Sequence, residues 1–201
     1  MRYIVLLIIT LFTSLGLQAQ GIEGTKKTTV ARIITIDIPK NFRQLTQAEV
    51  AQRYPSSRKQ IAVYSSPNGT ADIGINKGKT VWEEKDIALV RDFYKATLET
   101  FYSKTTFEKA DIVTVNGKKF ARLIFIGEID GGLKPKFKLY IHIRYCVIGK
   151  RLYIFQFNCQ KSEAKIYEKE VAAIMDRIKI SKKQAAEKKP VPATIKDSPR
   201  K

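Results

Sequence analysis

The sequence predicts an α+β fold in which a largely antiparallel β-sheet packs against helices. Three observations carry that expectation. Apolar residues alternate with polar ones through most of the stretch from Ile34 to Cys159, the period of a strand with one buried face. Two segments, 86–103 and about 162–178, carry them instead at three- and four-residue spacing, the period of an amphipathic helix. The connections between strands are mostly too short for parallel crossovers, so neighbouring strands run antiparallel.

Ile34, Ile36 and Ile38 alternate with Thr35 and Asp37 ahead of Pro39 and mark a first strand. Thr46-Gln47-Ala48-Glu49 has the pattern of a capping box and opens a short helix ending before Pro55. In QIAVYSSPNGTADIGIN, two β-type runs flank Pro67-Asn68-Gly69, a strong hairpin signal. Asp86 caps a helix reaching about Ser103, with Ile87, Val90, Tyr94, Leu98 and Phe101 on one face and Phe93 and Thr97 beside them. A meander of four strands follows: Ala110 to Val115, a turn at Asn116-Gly117, Lys118 to Glu128, then Lys134 to Val147 and Lys150 to Cys159 joined at Gly149. The final helix buries Ile166, Tyr167, Val171, Ile174, Met175 and Ile178.

Outside this body, residues 1–19 read as a secretory signal peptide: Arg2, an apolar run from Tyr3 to about Leu17, and Ala19 before the cut. That run is shorter than the ~20 apolar residues that span a bilayer, so no transmembrane segment is expected after cleavage. No cysteine lies near the cut, which argues against a lipid anchor. The expectation is a secreted or periplasmic protein with a linker at 20–32, one domain at 33–180, and a disordered tail at 181–201. The tail sets seven basic residues and three prolines against Glu187 and Asp197. The whole chain has a formal net charge of +18, which favours anionic partners such as acidic polysaccharide, lipid headgroups, extracellular DNA or an acidic protein. Export makes specific nucleic-acid binding a poor fit.

From ITIDIPKNF through IAVYSSPNGTADIGIN, VNGKKFARLIF and IHIRYCVIGKRLYIFQFNC to EVAAIMDRIKI, roughly Ile33 to Ile180, the chain resembles the Mog1/PsbP-like fold. The resemblance rests on element order and turn positions. It implies helices against an antiparallel sheet and, by analogy with an extrinsic photosystem subunit, a Ran-binding import factor and envelope proteins, a non-enzymatic accessory or binding role. No functional residue is carried over from it.

The residues themselves offer little chemistry. His142 and Cys146 sit four apart in a period-two strand, hence ~13 Å apart along it, beyond the reach of a nucleophile and its base or of two ligands on one zinc. A three-residue hairpin at Val147-Ile148-Gly149 sets Cys146 opposite Lys150, Ile141 opposite Phe155, Leu139 opposite Phe157 and Phe137 opposite Cys159. The cysteines then lie on opposite faces as free thiols, with an intermolecular disulfide through Cys146 as the alternative. GINKGKT, Gly74 to Thr80, has three residues between its glycines where a phosphate-binding loop needs four. Asn68-Gly69-Thr70 matches a glycosylation acceptor but also the needs of a hairpin tip. Glu83, Glu84 and Asp86 suit a helix start, and Glu128 with Asp130 supplies too few oxygens for calcium. No cofactor is expected.

One row remains. Lys136, Lys138, Tyr140, His142 and Arg144 form the even-numbered side of the long strand, either a surface for an anion or a partner or a sheet face that is solvated or partly covered by a helix. The function that fits best is a non-catalytic binding or accessory domain with a protein partner or an anionic envelope component. A small hydrolase working through carboxylates is the alternative.

Overall fold

The computed structural model describes residues 24–54, 60–130 and 136–181. The expected signal peptide, the tail beyond Ser181 and the loop 131–135 lie outside the described residues. Seven strands form the main sheet in the order β3 (Arg43–Gln44), β4 (Gln60–Ser65), β5 (Ala71–Val81), β9 (Arg151–Gln160), β8 (Phe137–Ile148), β7 (Lys118–Ile129) and β6 (Lys104–Val115), every neighbour antiparallel. A second, three-stranded sheet orders β1 (Thr25–Val30), β2 (Ile34–Pro39) and β10 (Lys179–Ile180). Three helices complete the described part: α1 (Gln47–Arg53), α2 (Ile87–Phe101) and α3 (Ala164–Met175). The α+β architecture is the one the sequence predicts.

Local chemistry explains most boundaries. Thr46 caps α1 as expected: its hydroxyl accepts from the Glu49 backbone N–H, and the Glu49 carboxylate accepts from the Thr46 backbone N–H at 2.8 Å. Asn116 and Gly117 both adopt left-handed backbone, φ 47° and 77°, the conformation a two-residue hairpin turn needs. The stretch expected as linker contains β1, whose exposed Lys26 and Lys27 hide the strand from a pattern search; it pairs along the whole of β2, from Thr25 with Pro39 to Val30 with Ile34.

The main sheet has two differently dressed faces. On one, Ile73, Ile75, Phe120, Phe155, Phe157 and Cys159 pack against Tyr167, Val171, Ile174 and Met175 of α3 and against Ile34, Ile36 and Ile38 of β2. On the other, α2 sets Ile87, Val90 and Tyr94 onto Leu123, Phe125, Ile141, Ile143 and Tyr145, with Tyr94 and Tyr145 stacked at 4.4 Å. On that same face α1 seats Val50 on Val63, with Leu45 alongside. α2 therefore covers the β6–β8 side and α1 the β4 side.

The hairpin between β8 and β9 corrects the expected register. The turn has two residues, Gly149 and Lys150, φ 55° and 61°, not three. Ile148 consequently faces Arg151, Arg144 faces Phe155, His142 faces Phe157 and Tyr140 faces Cys159. An odd shift in pairing moves every side chain of one strand to the other face of its neighbour. The even-numbered residues of β8 thus share the α3 face with the odd aromatic residues of β9. Both cysteines are buried and free. They share one face rather than opposing ones, six strand positions apart and so ~20 Å from each other, too far for a disulfide. Burial pushes each thiol up to about 12.

Candidate functional site

The basic, aromatic row is not a continuous surface, because of that register. Lys136 and Lys138 stand in solvent, paired with Asp130 at 3.1 Å and Glu128 at 2.9 Å. Tyr140 is buried, and His142 and Arg144 have no exposed surface at all. The Arg144 guanidinium donates to the Met175 carbonyl at 2.9 Å and to the Asp176 carboxylate at 2.6 Å, pinning the C-terminal end of α3 to the sheet. Neither ring nitrogen of His142 has a hydrogen-bond partner among the described residues. Burial first, then the nearby Arg144 and Arg122 charges, drive its pKa down to about 3, so the imidazole is neutral. These three residues hold the fold together and are closed to an external ligand.

The open surface lies on the opposite face, between the two helices. Register places Asp72, Gly74 and Asn76 of β5 beside Asn158, Gln156 and Ile154 of β9 on that face, with Ser65, Val63 and Gln60 of β4 beyond them. Gly74, Gln60, Gln156 and Asn158 are half-buried and reachable. A Cβ at Gly74 would meet only the Gln60 side-chain oxygen, at 3.6 Å, so the absence of a side chain there lowers the middle of the floor.

One wall is the end of α1. Arg53 donates to Ser65 Oγ at 2.9 Å, to Asp72 Oδ1 at 3.2 Å and to the Gly69 carbonyl, and the Tyr54 hydroxyl donates to Asp72 Oδ2. Asn158 stands beside Tyr54 and opposes the rise in its pKa, and Gln156 donates to Asn158 Oδ1 at 3.4 Å. Both carboxylate oxygens are committed, and burial raises the Tyr54 pKa, with the Asp72 charge adding to it.

The other wall is a flank of α2. Lys95 lies 4.9 Å from the centre of the Phe107 ring and Arg91 feels the charge of Asp111, so that flank faces β6. At 100° per residue, Leu89, Phe93 and Thr97 project to the other side. Phe93 lies 6.1 Å from Trp82, whose backbone N–H donates to the Lys150 carbonyl at the end of the β5–β9 pair. Leu89 and Phe93 are 60% and 53% exposed, an apolar edge along the floor. Two buried polar atoms here have no partner among the described residues: Asn76 Oδ1 and Trp82 Nε1. At the Gln60 end the floor opens into a cavity of about 470 Å³ lined by Gln47, Gln60, Ile61, Lys77, Gly78, Lys79 and Arg151. That wall is basic.

None of these residues was expected as a site, yet a signal was present in the sequence. Along β9 the odd positions stay apolar throughout, whereas the even ones change from Leu152 and Ile154 to Gln156, Asn158 and Gln160. Along β5, Asp72, Gly74 and Asn76 alternate with Ala71, Ile73 and Ile75. A face that turns polar halfway along a buried strand marks where its covering helix ends.

No protein-family model and no curated protein matches the sequence. Solved structures do. Cyanobacterial PsbP from Synechocystis sp. PCC 6803 superposes with a TM-score of 0.56 at 8% identity, over 80% of this chain and 94% of that one. The Ran-binding protein Mog1p of Saccharomyces cerevisiae gives 0.49 at 14%, covering 76% and 84%. LpqN of Mycobacterium tuberculosis, involved in cell envelope biogenesis, gives 0.48 at 17%, covering 78% and 85%. The fold is Mog1/PsbP-like. At these identities the likeness concerns the fold alone.

Proposed function

We propose that the chain is an exported, non-catalytic binding domain of the cell envelope or its surroundings, and that it engages a protein partner through the groove between α1 and α2. The observation that carries this reading is the half-covered sheet face: an accessible polar floor, an apolar helix edge beside it, and two buried polar atoms left unpaired at its margin. An unpaired buried polar atom costs about 1–3 kcal/mol, a cost that a bound partner removes. The resemblance of fold to a Ran-binding protein is compatible with a protein ligand. The amino-terminal pattern of Arg2, apolar run and Ala19 supports export, and no helix among the described residues is long and apolar enough to cross a membrane.

The chemistry of the groove favours binding over catalysis. Asp72 is the one buried carboxylate among the described residues, and its oxygens are taken by Tyr54 and Arg53. A Tyr54 pKa moved upward keeps the phenol protonated, and the two thiols are buried and protonated. Affinity capture from the exported fraction tests the reading, using the wild-type chain and a Gly74→Phe variant whose ring fills the floor. A stoichiometric protein retained by the wild type and lost with Gly74→Phe supports it. Turnover of chromogenic ester, glycoside or peptide substrates that disappears in Asp72→Asn overturns it in favour of a hydrolase.

A further inference from the structure

The geometry points to the chemistry of that partner, an inference resting on the binding reading above: an extended, acidic peptide segment laid along β9, its backbone held by side-chain carboxamides. Gln156, Asn158 and Gln160 occupy every second position of β9 on the groove face, with Asn76 on the neighbouring strand. Side chains two apart on a strand are ~6.6–7 Å apart, which is also the repeat of an extended peptide whose alternate amides face one way. A carboxamide both donates and accepts, so each rung can satisfy one N–H and one C=O of such a chain. The Gln156–Asn158 contact is long, at 3.4 Å, and Asn76 Oδ1 has no partner among the described residues although Asn76 is only 7% exposed.

The rest of the groove fits the same occupant. Alternate side chains of an extended peptide project sideways, and Leu89, Phe93 and Trp82 form an apolar edge for one set of them. The cavity at the Gln60 end has Lys79 and Arg151 in its wall, with Lys77 reaching it from the other face of the sheet, where its ammonium lies 5.8 Å from the Tyr153 ring centre; with no acidic residue among the described lining, it fits carboxylates at one end of the segment. The same charge disfavours the chain's own tail, which is itself basic. Polar side chains that hold main-chain groups would accept many sequences, with selectivity coming from the apolar edge and the basic end.

Fluorescence anisotropy tests this with the exported chain and acetylated octapeptides that alternate Leu and Thr and end in two Asp or two Lys residues. The Asp-terminated peptide is expected to bind about tenfold or more tightly than its Lys counterpart. Asn76→Ala and Gln156→Ala are each expected to weaken it about tenfold, one hydrogen bond's worth, and Gly74→Phe to abolish it. N-methylation of alternate peptide amides keeps the test independent of variant folding: methyl groups in one register should eliminate binding and those in the other leave it intact. Failure of the Asp-terminated peptide to bind, or indifference to both methylation registers, overturns the peptide inference. Gly74→Phe-sensitive binding of an acidic oligosaccharide without peptide binding also overturns it. If an intact protein is still captured in a Gly74→Phe-sensitive way while peptides fail, the binding reading survives and only the extended-peptide chemistry falls. Capture indifferent to Gly74→Phe removes the groove from both.

Discussion

The two faces of the main sheet differ in how completely they are covered, and residues adjacent in sequence experience the two extremes. Phe157 has no exposed surface and meets Tyr167 of α3 with ring centres 5.6 Å apart. Gln156, one residue earlier, lies on the floor of the groove. One face is closed by a helix and a second sheet together. The other is shared by two helices that leave the centre of the sheet between them. The open face still carries a buried core under α2, with Leu123, Phe125 and Ile141 fully covered, so the contrast is confined to the strip between the helices.

This contrast is broken most directly by substitution at that neighbouring pair. Phe157→Ala is expected to cost ~3–5 kcal/mol, the usual range for an aromatic removed from a packed core, while Gln156→Ala should stay within ~0.5 kcal/mol. Urea unfolding of both variants measures the difference, and equal effects would mean that the groove floor is as buried as the core.

The closed face should also make the protein acid-sensitive. His142 is held neutral, its folded pKa of about 3 lying below its ordinary value of 6.5. Between those values the unfolded chain binds a proton that the folded one refuses, so stability contributed by the neutral imidazole is complete above pH 6.5 and lost as pH falls toward 3. The slope is about 1.4 kcal/mol per pH unit for one group. Arg144 and Arg122 oppose protonation there, whereas Asp176 and Asp111 favour it. Denaturation midpoints across this range should flatten in His142→Leu relative to wild type; an unchanged slope assigns the acid sensitivity to other groups.

A smaller effect is expected under α2. A Cβ on Gly127 would come within 2.6 Å of the Tyr102 ring, so Gly127→Ala must displace that ring and its contact with Phe125. The expected loss is ~1–3 kcal/mol, restored in part by Gly127→Ala combined with Tyr102→Leu, as thermal melting of the pair would show. Least affected is the β8–β9 turn, where Lys150→Gly removes the left-handed strain of a side chain at φ 61°. It should leave stability unchanged or raise it by up to ~1 kcal/mol.

The turn also shows what the sequence makes legible. The alternation in Phe137 to Val147 identifies the strand, and Gly149 marks its end, but whether one or two residues of the turn adopt positive φ cannot be read from Gly-Lys, since lysine carries no preference for that conformation. One such detail decided which side of β8 holds the charged residues. It buried Arg144 and His142 under α3, where a sequence pattern alone reads them as part of an open row. β3 and β10 escaped notice because two residues show no periodicity, and β1 because its pattern TKKTTV is that of an exposed strand stabilised by its partner. Helices α2 and α3, with three and five buried residues at regular spacing, are legible in the sequence, and α1, which buries only Val50, is legible through its Thr46 cap.

The small second sheet sets the order in which the molecule can be completed. β2 is its central strand, and the partner on one side is β1, immediately before it in the chain, while the partner on the other is β10, where Lys179 pairs with Thr35 and Ile180 with Ile34. The last described strand thus closes over one of the first. Such a distant contact is slow to form because the intervening chain must already be arranged before it is rewarded. A polypeptide emerging from the ribosome, or threaded through a channel, leaves the β2 edge uncovered until nearly its whole length is free.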